Sequence, residues 1–180
     1  MGDEWQGRKV LVLGLGETGL SCVRWLARHG ARLSAADTRA APPALGTIRR
    51  EHPQLRVALG PFDEALLAGM DTVVASPGLA LREPVLRAAA ARGIEVVGDV
   101  EIFARALAQD RKGVRVLGVT GTNGKSTVTA LAAHMGRCAG LAAEAVGNIG
   151  VPVLDALASA EANGMPELYV VELSSYQLET

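Results

Sequence analysis

Two glycine-rich segments constrain the fold of this chain most strongly, because each lies between a short apolar run and a helical stretch. The first segment is GLGETG at residues 14–19, which follows the apolar residues 10–13. The second is GVTGTNGKST at residues 118–127, which continues a mainly apolar run that begins at residue 114. A buried strand, a glycine turn and a helix form the repeating unit of a parallel sheet. The pattern therefore predicts an α/β protein.

The same alternation continues along the rest of the chain. Further short strands are predicted at residues 32–36, 56–59, 72–75, 94–97, 143–146 and 168–172. Helical stretches separate most of them, so the five strands up to residue 97 should form a mainly parallel sheet that is covered on both faces. We predict a Rossmann-like parallel-sheet domain over residues 1–98, followed by an incomplete P-loop α/β domain over residues 99–180.

The second of these domains is short, because the chain stops a few residues after its last strand without a closing helix. Nucleotide-binding α/β domains are usually larger. We therefore expect the N-terminal part of a longer protein. A naturally small protein with a minimal second lobe is the alternative.

Composition excludes several functional classes. The 180 residues carry 18 Lys and Arg against 19 Asp and Glu, so no basic excess favours nucleic acid or a membrane surface as partner. No apolar run approaches the length of a membrane helix, and no secretory signal precedes the first strand. Cys22 and Cys138 lie in apolar helical patterns, so we expect two buried thiols in a cytoplasmic protein.

The first glycine segment has the context of a phosphate-binding turn. Its glycines let the backbone approach a diphosphate, and the following helix offers free N–H groups at its N-terminus. Asp37 ends the second predicted strand, near the place where an acid that binds ribose would lie. The alternative is a tight turn that needs glycine for packing alone. The carboxylate of Glu17 would be unfavourable beside a phosphate unless it points away.

The second glycine segment ends as a P-loop does, in Gly124-Lys125-Ser126 between a strand and a helix. In such loops the backbone N–H groups hold phosphates, the lysine reaches the β and γ oxygens, and the hydroxyl binds Mg²⁺. Val119 stands where the strict pattern has glycine. Glu172, at the end of a later strand, is a candidate Mg²⁺ ligand, with an ordinary strand-end acid as the alternative.

Taken together, these segments resemble the Mur ligases of peptidoglycan synthesis. The resemblance rests on residues 121–127, on GLGETGLS from residue 14, on Asp37-Thr38-Arg39, on Ala75-Ser76-Pro77-Gly78 and on ELSSYQLE from residue 172. Val119 is typical of the family's relaxed P-loop. Within the family, the match is to members that add D-glutamate to UDP-N-acetylmuramoyl-L-alanine.

The resemblance implies a role for each matching position. The first domain would bind the UDP part of the substrate through Leu15, Glu17, Thr18, Asp37, Thr38, Ser76 and Gly78, with Asn148 also facing the substrate phosphates. ATP would lie on Gly121, Thr122, Asn123, Gly124, Lys125, Ser126 and Thr127, with Lys125 and Glu172 as catalytic residues and Ser126 and Glu172 as Mg²⁺ ligands.

The implied reaction has two steps. A substrate carboxylate attacks the γ-phosphate of ATP to form an acyl phosphate, and the amine of D-glutamate then displaces phosphate. In the family this reaction also needs parts that would lie beyond Thr180. We therefore expect this 180-residue chain alone to be inactive. We also expect a monomer. Two alternatives remain: a nicotinamide-dependent oxidoreductase domain joined to a P-loop, and a non-catalytic UDP-sugar-binding module.

Overall fold

The structure of this protein is a computed structural model that describes residues 4–79, 82–110 and 113–178. The chain divides into two compact units, of which the first ends at Asp99 and the second begins at Val100. Both are built of parallel sheets with helices, which confirms the predicted α/β class. In the ranges that the structure describes, no helix combines the length and the apolar character that a membrane span requires.

The first unit contains one sheet with parallel pairing throughout its described strands. In chain order the elements are β1 (Lys9–Leu13), α1 (Glu17–Arg28), β2 (Arg32–Asp37), α2 (Leu45–Glu51), β3 (Arg56–Leu59), a 3₁₀ turn (Glu64–Leu67), β4 (Thr72–Ala75), α3 (Pro84–Ala91) and β5 (Glu95–Val97). The strand order is β3-β2-β1-β4-β5, so the connections run to one side of β1 and then to the other. A cleft for ligands is expected where that direction reverses, at the carboxyl ends of β1 and β4.

The burial of β1 agrees with its central place in the sheet of this unit. Its apolar residues 10–13 are fully buried, as expected for a strand covered on both faces. Cys22 is buried on α1, which confirms that part of the cysteine prediction. Helix α2 is not anticipated by the sequence, because Pro42 and Pro43 indicate a loop in this region. It is held by tertiary contacts instead: Ile48 is buried and Arg24 of α1 pairs with Glu51.

The second unit contains a smaller parallel sheet. Its elements are α4 (Asp99–Asp110), which begins at the last residue of the first unit, then β6 (Arg115–Val119), α5 (Lys125–Cys138), β7 (Ala143–Gly147), α6 (Val153–Asn163), β8 (Leu168–Glu172) and a 3₁₀ turn (Tyr176–Leu178). The strand order is β6-β8-β7, so β8 is central and buried. Glu179, which the sequence places at the end of the last motif, lies outside the described residues.

The sheet of this unit is only partly covered, and one expectation about burial is wrong. Strand β6 lies at an edge of the sheet, and the side chains of Val116 and Leu117 are 50% and 46% exposed, so the sheet is not covered on both faces. Cys138 is exposed rather than buried. The reason is that α5 faces the sheet with small residues, among them Ala133 and Gly136, and leaves Cys138 outside that face, with its Sγ 3.5 Å from Nε2 of His134.

Candidate functional site

The first unit carries a cleft of about 410 Å³ at the carboxyl ends of its central strands. It lies where the direction of the strand connections reverses, the position at which open α/β sheets bind ligands. The N-terminal turn of α1 borders it, and the first N–H groups of a helix have no partner within the helix. The lining residues are Gly14, Gly16, Glu17, Thr18, Gly19, Asp37, Thr38, Arg39, Phe62, Ser76, Pro77, Gly78 and Leu79.

Close contacts hold the glycine loop in this cleft. A Cβ on Gly19 would overlap the carbonyl oxygen of Gly14, so the first turn of α1 reaches the loop only because residue 19 has no side chain. Gly14 has a φ of 88°, and its carbonyl accepts a 2.8 Å hydrogen bond from the Ser76 hydroxyl after β4. Gly16 differs, because nothing lies within 4 Å of the position its Cβ would take. The loop is thus packed on one side and open toward the cleft.

Asp37 anchors the other side of the loop. Its carboxylate is 2% exposed and accepts four hydrogen bonds. Oδ2 accepts from the Leu15 amide at 2.6 Å and from Nη2 of Arg39 at 2.6 Å. Oδ1 accepts from the amide and from Nε of Arg39, each at 2.8 Å. The carboxylate therefore joins the end of β2 to the glycine loop.

Asp37 and Arg39 each stabilise the charged form of the other. The Arg39 guanidinium, helped by the amides of Leu15 and Arg39, lowers the pKa of Asp37 from 3.8 to about 2, although burial opposes the shift. The hydrogen bond to Asp37 in turn raises the pKa of Arg39. Arg39 remains half exposed at the cleft, so a cation faces the space in front of the glycine loop. An anionic ligand suits this arrangement.

Most of the residues proposed for the first unit from the sequence meet at this cleft. Glu17, Thr18, Asp37, Thr38, Ser76 and Gly78 all line it. Leu15 does not, because its side chain is fully buried and its amide is engaged with Asp37. Arg39 and Phe62 line the cleft without having been proposed as site residues. Arg39 could have been found from its place in the Asp37-Thr38-Arg39 motif, whereas no sequence signal indicates Phe62.

The second unit places its glycine loop between β6 and α5. Gly121 and Gly124 have φ values of 151° and 75°, and Gly124 precedes the first turn of α5. Nζ of Lys125 donates to the carbonyl oxygen of Gly121 at 2.8 Å, so the lysine folds back over the loop. Ser126 and Thr127 are exposed in that first turn, as are Thr122 and Asn123 in the loop. The turn, the lysine and the hydroxyls have the order that phosphate binding requires.

Glu172 ends the strand next to this loop, since it pairs with Val119 on one side and Gly147 on the other. It is buried, and its Oε1 accepts from Nδ2 of Asn148 at 3.2 Å. Among the described residues, its Oε2 has no hydrogen-bond partner and no contact with solvent. Asn148 therefore lies beside the proposed metal ligand, in the second unit.

The oxygens of Glu172 and Ser126 fit a magnesium ion. A buried carboxylate oxygen without a partner is costly unless a cation or donor meets it. The described residues contain no cluster of three His, Cys, Asp or Glu side chains that could hold a metal. Magnesium needs none, because it usually keeps several waters and binds through one or two protein oxygens and the substrate phosphates. Glu172 and Ser126 supply oxygens of that kind.

Comparison with known proteins decides the family. A model of the Mur ligase MurD-like N-terminal domain matches residues 8–98, which is half of the chain. This chain belongs to the Mur ligase family. The matched residues contain the whole sheet of the first unit and the cleft at its carboxyl edge.

Relatives of this Mur ligase chain extend the match across both units. The chain is 53% identical to the UDP-N-acetylmuramoylalanine–D-glutamate ligase of Thiobacillus denitrificans, over 97% of this chain and 39% of the relative. It is 51% identical to the ligase of the same name from Methylobacillus flagellatus, over 96% of this chain and 36% of the relative. The chain thus spans less than two fifths of the length of these relatives.

A solved structure shows that the fold is shared. The UDP-N-acetylmuramate:L-alanyl-γ-D-glutamyl-meso-diaminopimelate ligase of Neisseria meningitides superposes with a TM-score of 0.54 at 21% identity. The match covers 94% of this Mur ligase chain and 53% of that structure. At this identity the likeness concerns the arrangement of strands and helices.

Proposed function

We propose that this chain is the nucleotide-binding part of a ligase that adds D-glutamate to UDP-N-acetylmuramoyl-L-alanine with ATP and Mg²⁺, acting as a cytoplasmic monomer. The observation that carries the proposal is the identity of about 50% to ligases of that name, over nearly the whole chain. Because the chain matches less than two fifths of those relatives, the activity belongs to the longer protein.

The cleft of the first unit supports a UDP ligand. The half-exposed guanidinium of Arg39 and the first turn of α1 both favour an anionic group such as a diphosphate. A nicotinamide cofactor fits this cleft less well. The acid that would accept from its ribose is Asp37, and both carboxylate oxygens of Asp37 already accept from Leu15 and Arg39. Asp37 thus organises the cleft rather than serving as a free acceptor.

The loop of the second unit supports ATP. Lys125 and the first turn of α5 would hold the phosphates, and Ser126 and Glu172 would hold Mg²⁺. The bound ion would supply positive charge where a substrate carboxylate approaches the γ-phosphate, because repulsion between the two anions opposes that approach. Lys125 would add a second positive charge once its contact with the Gly121 carbonyl is exchanged for phosphate oxygens.

Calorimetric titration of the purified chain tests both assignments. We expect heat with UDP-N-acetylmuramoyl-L-alanine and none with NAD. Gly16→Val should remove this binding, because a side chain there would project into the open part of the cleft while the backbone conformation suits valine. Lys125→Ala, in the other unit, is the matched control that should leave it unchanged.

The outcomes separate the alternatives. Binding of NAD without binding of the UDP compound would favour the oxidoreductase. Binding of the UDP compound by a chain whose ATP affinity does not respond to Lys125→Ala would favour a non-catalytic UDP-sugar module. Ligase turnover by the 180-residue chain alone, measured as release of phosphate that depends on D-glutamate, would contradict the expectation that this chain is inactive.

A further inference from the structure

The loop that follows β7 lies directly against the end of β8. A 3.0 Å hydrogen bond from the amide of Gly147 to the carbonyl oxygen of Val151 closes this loop. A Cβ on Gly147 would lie 2.5 Å from the carbonyl oxygen of Glu172, and the φ of Gly147 is 109°. Close approach and backbone conformation both require glycine there, and the next residue, Asn148, is thereby brought against the proposed Mg²⁺ ligand.

Asn148 contacts Glu172 through its backbone and through its side chain. Its amide N–H donates to the carbonyl oxygen of Glu172 at 3.0 Å, and its Nδ2 donates to Oε1 at 3.2 Å. Chemistry fixes the direction of the second bond, because an ionised carboxylate can only accept and the side-chain oxygen of asparagine cannot donate. The side chain of Asn148 must therefore present its nitrogen to Glu172.

This contact decides which oxygen of Glu172 is left for a cation. The last torsion of a glutamate side chain is only weakly restricted, so a hydrogen bond to one oxygen is what fixes the direction of the other. Asn148 holds Oε1, whereas the buried Oε2 has no hydrogen-bond partner among the described residues. The backbone at this point is fixed as well, because the amide of Leu173 donates to the carbonyl oxygen of Val119 at 2.8 Å.

We propose that Asn148 is a positioning residue for the Mg²⁺ that accompanies ATP, because it holds Oε1 of Glu172 and so keeps Oε2 for the cation. Side chains that hold a metal ligand in place contribute about tenfold or more to metal affinity. Asn148 acts through Glu172 and need not touch ATP. The inference rests on the proposed function, since it takes the second unit to bind ATP with Mg²⁺. It differs from the contact with substrate phosphates that the sequence resemblance implies for Asn148.

Replacement of Asn148 by alanine isolates this contact. Asn148 is exposed, so its side chain contributes little packing. Its backbone hydrogen bond to Glu172 does not depend on the side chain, and its φ is not in the left-handed region, so alanine suits the backbone. Asn148→Ala should therefore release Oε1 while the loop keeps its conformation.

The first test is calorimetric titration of the purified chain with ATP, once in excess Mg²⁺ and once in excess EDTA. The quantity to compare is the gain in ATP affinity that Mg²⁺ gives. In Asn148→Ala this gain should be about tenfold smaller. The affinity in EDTA should not change, because Lys125 and the loop backbone remain. Asn163→Ala is the matched control in the same unit, since Nδ2 of Asn163 donates to Ser159 of α6 instead, and it should leave both affinities unchanged.

A double-mutant cycle shows whether Asn148 acts through Glu172. Glu172→Gln should remove most of the Mg²⁺ gain by itself, because it replaces a charged oxygen ligand with a neutral one. In that background Asn148→Ala should have no further effect, so the two losses should not add. A merely structural role of Asn148 predicts the opposite, namely additive losses and weaker ATP binding in EDTA as well.

The contact can also be followed by NMR without any ligand. We expect the side-chain amide proton signals of Asn148 to shift in Glu172→Gln, because the acceptor of its hydrogen bond loses its charge. The corresponding signals of Asn163 should stay in place.

The outcomes separate this inference from the proposed function. An Mg²⁺ gain that survives Asn148→Ala, additive losses in the cycle, or Asn148 signals that do not respond to Glu172→Gln would each overturn the inference. ATP binding that responds to Lys125→Ala would still support the proposed function in all three cases. A chain that binds no ATP in either condition would contradict the ATP assignment and the inference together.

Discussion

The two glycine loops of this protein have the same place in a βα unit but are built in opposite ways. The loop of the first unit is packed against Ser76 and Gly19 and tied to Asp37, whose carboxylate has donors on both oxygens. The loop of the second unit is exposed, and its lysine donates to a carbonyl of the loop itself. Among the described residues, the nearby Glu172 keeps a buried oxygen without a partner.

This contrast indicates where each unit obtains its stability. In the first unit the buried carboxylate at the cleft, Asp37, has donors on both oxygens without a ligand. In the second unit a buried charge is left for a cation to satisfy, and the strand leading to the loop lies open. We expect ligands to change the stability of the second unit much more than that of the first.

The largest effect should come from Gly19→Ala. The added methyl group would overlap the Gly14 carbonyl, so the loop or α1 must shift, and we expect a loss of about 3 kcal/mol in the free energy of unfolding. Urea unfolding followed by tryptophan fluorescence would measure it, because Trp5 and Trp25 are the only tryptophans and both lie in the first unit. Gly16→Ala is the control and should cost about 1 kcal/mol or less. Equal losses for the two variants would contradict the close packing of this loop.

Asp37→Asn should have a somewhat smaller effect that depends on pH. The pKa of Asp37 is lower in the folded chain, about 2 against 3.8, so its contribution is full above pH 4 and is lost as the pH falls from 4 toward 2. The shift corresponds to about 2 kcal/mol. The difference in unfolding free energy between wild type and variant should therefore shrink over this window.

The same fluorescence measurement at pH 7, 4 and 2.5 would check this prediction. Glu51→Gln is a matched control, because it also removes a carboxylate paired with arginine in the same unit, but at the surface. We expect little change from it. A loss for Asp37→Asn that stays constant from pH 7 to pH 2.5 would show that the Arg39 pair does not stabilise the fold.

The smallest effect, and one of opposite sign, is expected for Glu172→Gln without ligand. Removing a buried charge that lacks a partner at Oε2 should raise the stability of the second unit by about 1 kcal/mol, while the amide oxygen can still accept from Asn148. Hydrogen exchange of the β8 amides would measure it. Adding Mg²⁺ and ATP should then stabilise the wild type more than the variant. A variant that is less stable than wild type without Mg²⁺ would contradict the contrast between the two units.

The order of strands and helices could be predicted from the sequence because buried parallel strands and glycine turns are local signals. Residues 10–13 are apolar and residues 72–75 mainly so, and both runs are buried as a whole; Pro84 begins a helix as its fixed φ allows. Helix α2 could not be predicted, because it depends on the burial of Ile48 and on the pair between Arg24 and Glu51. Partners from distant parts of the chain leave no periodic signal.

The site was predictable to the extent that its residues stand at strand ends. Asp37 ends β2 and Ser76 follows β4, and these two strands flank β1, so the topology brings both residues to one cleft. What Asp37 does there was not predictable. Its role depends on Arg39 turning back two residues later and on the Leu15 amide approaching from another loop. The exposure of Cys138 also needed the structure, since an apolar pattern does not say which face of α5 meets the sheet.

The hydrogen bonds that join Asp37 and Ser76 to the first glycine loop have a consequence for the kinetics of ligand binding. The carboxyl ends of β1, β2 and β4 are joined by hydrogen bonds of 2.6 and 2.8 Å before any ligand arrives. A ligand would therefore meet a preorganised cleft, with little conformational entropy left to lose on binding. Differences in affinity among related nucleotides should appear mainly in how slowly each dissociates, while their association rates stay similar.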